Sequence, residues 1–322
     1  MKTNTPRHPW RKTDSSPRAH DFLGAFLLTA VLLWTANWGC SLVATPDSKV
    51  DPGFRPAARV AEPLPRPSIP PDAPAVHARS AIVIDAVSGK TLFEKDADHP
   101  LPVASTQKLL TALQVIDEGG LQQPVTISLR DALQPPSRIG LAPGSIHRRI
   151  DLLAGMLVSS ANDAASALAT NGDGSHDGFI RKMNEKARSL GASHSLFLNP
   201  HGLDAPGQYS TARDSAIIAY HAYRDPLIRH FAASQIISFP NGDYGGQLLQ
   251  NTNELLWNWP PYFNGLKGGF TYAGGKCLVA SAKHNGSEII IVLLGSTQER
   301  IFRDAKNLYE WHQKLLQNGL GG

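Results

Sequence analysis

Cysteine is nearly missing from this chain of 322 residues. The two present, Cys40 and Cys277, lie in an apolar N-terminal region and in the strand-like stretch "GKCLVASA". No intrachain disulfide is expected, and Cys277 reads as a small core residue. A basic surface is missing too. The formal charge of +4 arises in the first 79 residues, where 10 Lys and Arg face 6 Asp and Glu, whereas 21 of each sign balance from Ser80 to Gly322. Nucleic-acid binding calls for a basic patch on the folded part, so no nucleic-acid partner is expected. The chain has no His-Glu-x-x-His and hence no helical zinc pair. It also has no internal repeat, and its longest apolar run falls short of the roughly 20 residues of a spanning helix.

That run, residues 22–38, follows a basic tail (residues 1–21) carrying Lys2, Arg7, Arg11, Lys12 and Arg18. The asymmetry orients the N-terminus towards the cytoplasm and exports the rest, as an uncleaved anchor, a cleaved signal peptide or a segment lipidated at Cys40. Residues 45–79 include "AEPLPRPSIPPDAPAVH", whose prolines favour extended conformation and read as a semi-rigid spacer. Residues 80–322 form the folded domain. "SAIVIDAVSGKTLFEKD" predicts a hairpin, and Ser105 to about His230 is mostly helical. "KCLVASAKH" and "EIIIVLLG", joined by Asn285-Gly286, predict a tight second hairpin, followed by an amphipathic helix over Arg303–Leu316. The expected class is α+β, with one antiparallel sheet built from both chain ends beside a helical middle.

Three short stretches carry chemistry. In "ASTQKLLTALQ", Ser105 and Lys108 share one face of a first helical turn, and Ser-x-x-Lys occurs once in the chain. A serine becomes nucleophilic only when a neighbour takes its proton. Lys108 can do so if burial on this apolar helix, or a nearby positive charge, lowers its basicity. In "LVSSANDAASALA", Ser160 and Asn162 form Ser-x-Asn, and Asp163 reads as an N-cap for the next helix. In "NGLKGGFTYAGGKC", Lys267 precedes Gly268 and Gly269, which would let a strand edge approach a ligand closely.

In this order and at these separations the three stretches resemble the Ser-x-x-Lys, Ser-x-Asn and Lys-Thr-Gly motifs of the serine penicillin-recognising enzymes. "PVASTQKLLTAL", "FIRKMNEKARSLGASHSLFLNPHGLD", "YSTARD", "NTNELL" and "CLVASA" are similar to one branch, the D-alanyl-D-alanine carboxypeptidases among low-molecular-weight penicillin-binding proteins. The resemblance spans roughly Ala81 to Leu316. It implies a serine β-lactamase-like fold without cofactor, located at the bacterial cell envelope. Its substrates would be peptidoglycan stem peptides, and β-lactams would inhibit it. It further implies that Ser105 attacks the bond between two D-alanines and that Lys108 takes its proton. Ser160 and Lys267 would serve the leaving group, Asn162 would hold Lys108 and the substrate, and the Ser105 and Phe270 N–H groups would form the oxyanion hole.

Two positions depart from the pattern. Gly268 replaces the family threonine that meets the substrate carboxylate, leaving Thr271 nearby as a substitute. Ile301 stands where the family places an arginine, leaving Arg300 beside it. A β-lactamase reading needs a carboxylate for deacylation, and neither Glu185 nor Glu254 sits in a recognisable loop for it. His201 and Asp204 are expected to be structural, and Asp214 is expected to brace a helix. A D,D-endopeptidase suits the short build after the last helix, and a non-catalytic wall-binding module is the reading Gly268 leaves open.

Overall fold

The computed structural model describes residues 72–173, 175–240 and 245–318. The hairpin β1 (Ser80–Asp85) and β2 (Thr91–Lys95) opens the fold. A 3₁₀ turn over Ala104–Gln107 then leads into α1 (Lys108–Glu118). The middle follows as β3 (Pro124–Thr126), α2 (Leu129–Ala132), β4 (Ile146–Arg148), α3 (Arg149–Val158), α4 (Asn162–Asp173) and α5 (His176–Ser189). After it come α6 (Ala212–Arg224), α7 (Pro226–Ala233), β5 (Ile236–Pro240), β6 (Gly246–Gln250) and α8 (Leu255–Asn258). The chain closes with β7 (Phe263–Thr271), β8 (Gly275–His284), β9 (Ser287–Ser296) and α9 (Gln298–Gln317).

The sheet order is β2-β1-β9-β8-β7, all neighbours antiparallel, so strands from both chain ends do form one sheet. In its middle strand β9, the unbroken run "EIIIVLLG" serves two layers through the two-residue period of a strand. Ile290, Val292 and Leu294 face the helical body, and Ile289, Ile291 and Leu293 face α9. Asn285 and Gly286, with φ of 49° and 82°, make the tight loop between β8 and β9.

The sequence period missed some boundaries. Helix α9 begins at Gln298, because Thr297 in extended conformation opens it ahead of an exposed first turn that shows no apolar rhythm. The pairs β3–β4 and β5–β6 are too short to display a pattern. Residues 72–79, taken as the end of the spacer, pack on the α9 layer: His77 and Ala78 donate their backbone N–H groups to Asp304 at 2.8 and 3.2 Å. Residues 45–71 of the expected spacer, the run 22–38, the tail 1–21 and Cys40 lie outside the described residues. Among the described residues no helix is long and apolar enough to cross a membrane.

Strand β7 holds the exposed edge beside the helical body, and this placement creates the site. Gly269 lies so close to the 3₁₀ turn that an added Cβ would sit 2.5 Å from the Ser105 nitrogen. On another side Gly202 (φ +88°) presses on the same peptide, where a Cβ would come 2.0 Å from the Ala104 carbonyl oxygen. Both contacts require glycine, since real Cβ atoms do not approach backbone so closely. Between them Ala104 holds φ at 50°, a left-handed conformation that L-residues other than glycine rarely adopt.

Candidate active site

Ser105 and Lys108 meet because the backbone between them is a 3₁₀ turn, in which residues i and i+3 eclipse. Their Oγ and Nζ atoms lie 2.9 Å apart. The Lys108 ammonium position is fully buried and also donates to Asn162 Oδ1 at 2.7 Å and to the His201 carbonyl at 2.5 Å. Asn162 is itself fixed: its Nδ2 donates to the Pro135 carbonyl at 3.0 Å and its backbone N–H to Ser137 at 2.8 Å. The amide oxygen is therefore the end that faces Lys108.

Burial holds Lys108 well below the usual lysine range, the charge of Lys267 lowers it further, and Asp163 acts in the opposite sense. Lys267, equally buried on β7, is pushed down to about 7 by burial and then by the charge of Lys276. His201 is pushed down to about 3 by burial and next by Lys108, so its ring is neutral and its Nδ1 accepts from the Leu203 N–H.

A neutral Lys108 amine has two N–H bonds and one lone pair. Asn162 Oδ1 and the His201 carbonyl can only accept, so they take both hydrogens. In that deprotonated form the remaining lone pair would lie towards Ser105 Oγ, 2.9 Å away.

Ser160 is buried with φ of 64°, and its hydroxyl bonds to no other described residue. Asp163 does not cap α4 as expected. It is the second residue of the helix, and its carboxylate accepts the Ala164 N–H at 3.0 Å together with the N–H groups of Ile139, Gly140 and Leu141 at 3.0–3.2 Å. This bracing sets the loop whose Pro135 and Ser137 carbonyls hold Asn162. Asp214 braces too, accepting from the His194 N–H and the Ser195 hydroxyl at 2.6 Å each. Asp204 accepts from the Ala273 N–H at 3.1 Å, tying its loop to the β7–β8 turn. Cys277 is a buried core thiol, raised to about 11 by desolvation.

The expected substrate side of β7 divides. Phe270 is exposed beside the edge, and Gly268 has an ordinary φ and open space around its missing side chain. Thr271 is buried, and its Oγ1 accepts the Gly274 N–H at 3.0 Å, which closes the β7–β8 turn. Arg300 lies exposed in the first turn of α9, while Ile301 beside it is fully buried against the sheet. The His201 carbonyl, Gly202 and the left-handed Ala104 were absent from the sequence reading. The one signal for them is "NPHGLD", where glycine follows a histidine in a loop.

The five-stranded sheet, the helical body and a serine bonded to a buried lysine, with a second buried lysine on β7, define the class of serine penicillin-recognising enzymes. Residues 68–298 match the family described as D-alanyl-D-alanine carboxypeptidase, and the chain belongs to that family of bacterial cell-wall peptidases. It is 36% identical over 258 residues to the D-alanyl-D-alanine carboxypeptidase DacC of Escherichia coli K12, covering 76% of this chain and 64% of that protein, slightly under two thirds of its length. It is 36% identical over 254 residues to DacB2 of Mycobacterium tuberculosis, covering 77% of this chain and 85% of the relative. Among solved structures it is similar to a D-alanyl-D-alanine carboxypeptidase of M. tuberculosis H37Rv (TM-score 0.72, 34% identity, 77% of this chain and 97% of that one). It is also similar to penicillin-binding protein D2 of Listeria monocytogenes in its cefotaxime-bound form (TM-score 0.65, 29% identity, 74% and 97%).

Proposed function

We propose that this chain is a serine D-alanyl-D-alanine carboxypeptidase that removes the terminal D-alanine from peptidoglycan stem pentapeptides and is acylated by β-lactams at Ser105. The observation carrying this reading is the arrangement at Lys108, whose buried Nζ lies 2.9 Å from Ser105 Oγ and is held by Asn162 Oδ1 and the His201 carbonyl.

Ser105 Oγ attacks the carbonyl carbon of the penultimate D-alanine as its proton passes to Lys108 Nζ. The oxyanion is held by the N–H groups of Ser105 and Phe270, which Gly269 brings together by letting β7 approach the 3₁₀ turn. Such donors each contribute about 2.7–4 kcal/mol to the barrier. When the C–N bond breaks, the departing amine takes a proton through Ser160 from Lys267. Lys267, at about 7, gives and regains a proton with little cost near neutral pH. Asn162 orients Lys108 and the substrate amide. Lys108 then passes its proton to the neutral Lys267, which restores both groups. Water attacks the ester as Lys108 takes its proton, and that proton goes to Ser105 Oγ as the C–O bond breaks and Ser105 is freed. No step calls for a metal or an organic cofactor.

The run 22–38 would hold the domain at the membrane, exported side outward, and residues 45–71 would space it from the surface.

Incubation with labelled penicillin followed by mass spectrometry should place one adduct on Ser105, lost in Ser105→Ala. Free D-alanine should appear from pentapeptide muropeptides. Monomers released from cross-linked dimers instead would make the chain an endopeptidase, and no adduct at all would leave a wall-binding module.

A further inference from the structure

The stretch "WNWPPYF", residues 257–263, takes no part in the proposed reaction, but its aromatic rings wall a cavity of about 340 Å³ at the start of β7. Phe263 precedes Gly269, the residue packed on Ser105, by six positions, roughly 20 Å along the strand. The opposite wall is one face of α9, which contributes Tyr309, Gln313 and Lys314. The Tyr262 and Tyr309 rings lie against each other with centres 5.4 Å apart, Phe263 backs Tyr309 at 5.4 Å, and His284 meets Tyr262 edge-on at 5.2 Å. The loop is held in shape. Two prolines follow Trp259, whose carbonyl accepts the Tyr262 and Phe263 N–H groups at 3.1 and 3.2 Å. The Lys283 N–H bonds the Tyr262 carbonyl at 2.9 Å. The rim is polar and nearly neutral, since Lys306 pairs with Glu310 at 2.9 Å. The Tyr262 and Tyr309 hydroxyls and the Gln313 and Lys314 side chains bond to no other described residue.

Flat rings beneath a rim of unpaired hydrogen-bonding groups suit a ligand with apolar faces and hydroxyl or amide edges. A saccharide has that build, and a nearly neutral rim suits it better than an acidic polymer or a basic peptide. A lipid surface calls for a projecting patch rather than a cavity. On the reading that stem peptides are the substrate, their carrier is a polymer of N-acetylated amino sugars. We infer that this cavity binds a stretch of that glycan, apart from the Ser105 site, and holds the domain on its polymer. Two linked contacts raise the affinity for intact wall material with nothing added at Ser105.

The probe is a peptide-free oligomer of N-acetylglucosamine, titrated into the full chain and followed by tryptophan fluorescence and saturation-transfer NMR. Wild type should bind it. Tyr262→Ala, at an exposed position, should weaken binding roughly 2- to 10-fold, the range for one aromatic contact. Release of D-alanine from intact sacculi should fall with it, while release from a soluble pentapeptide stays at the wild-type rate. No binding of the oligomer, binding that Tyr262→Ala leaves unchanged, or an equal loss on the soluble peptide overturns the assignment. Binding to phosphatidylglycerol vesicles in place of the oligomer overturns it too and makes this face a membrane contact. If Ser105 takes no penicillin adduct while the oligomer still binds through Tyr262, the functional reading fails and the sugar site stands.

Discussion

Gly268 and Gly269 are adjacent in β7 and look alike in sequence, yet alanine should be tolerated at one and damaging at the other. At Gly269 a new Cβ would lie 2.5 Å from the Ser105 nitrogen, 2.9 Å from Ala104 Cβ and 3.2 Å from Ser105 Cα. Restoring van der Waals separation, about 3.5 Å, requires β7 and the 3₁₀ turn to part by roughly 1 Å. Overpacking of this kind costs about 1–3 kcal/mol of stability. The larger effect is geometric, since the motion separates the Ser105 and Phe270 N–H groups proposed to hold the oxyanion and shifts Ser105. A displacement of about 1 Å costs on the order of 100-fold in rate. At Gly268 the nearest atom to a new Cβ is 3.9 Å away, so Gly268→Ala should fold and acylate nearly as wild type. The assay is the second-order rate of adduct formation with a labelled penicillin, alongside a thermal melt. Gly269→Ala should lose about two orders of magnitude in rate with a melting shift of a few degrees. Acylation of Gly269→Ala at the wild-type rate, or equal damage from the two substitutions, would refute the argument that β7 is positioned by that glycine.

Lys267 is depressed from 10.5 to about 7, so between those values the unfolded chain holds a proton that the native protein has released. Stability should therefore rise with pH across that window. Lys267→Met should be more stable than wild type at pH 7, on the order of a few kcal/mol. The advantage should shrink towards pH 10, and acylation should be lost; a Tm difference that stays constant across the range would contradict the assigned basicity. Asn162→Ala strands an N–H of Lys108 and the Pro135 carbonyl, each worth about 1–3 kcal/mol when buried. It should melt several degrees lower and acylate at least about tenfold more slowly. A melting change without a rate change would confine Asn162 to packing.

The features legible in the sequence are those set by local rules. The two hairpins announced themselves through β-branched runs and turn residues, and Ser105 and Lys108 through a spacing of three. The resemblance to a family then linked stretches that no local rule connects. What stayed hidden depends on contact between distant segments. Nothing in "GLKGGFTYAGG" says that one glycine touches Ser105 and its neighbour touches almost nothing. The reading of Asp163 as a cap caught only its bond to the Ala164 N–H in the first turn of α4, whereas its other partners arrive from residues 139–141, over 20 positions away. The His201 carbonyl could not be predicted, because a backbone acceptor carries no side-chain signature.

The unpaired edge of β7 has a consequence for how the protein behaves at high concentration. An edge strand with free backbone groups is a template for pairing with another chain, and inward-pointing charges are one way such edges are kept from sticking. Here Phe270 and the almost wholly exposed Tyr272 flank the edge, and Lys267 is the buried charge within it. A lysine proposed to serve the reaction would thus also discourage self-association. Lys267→Met, though thermally hardier, should be the variant that forms aggregates first on concentration.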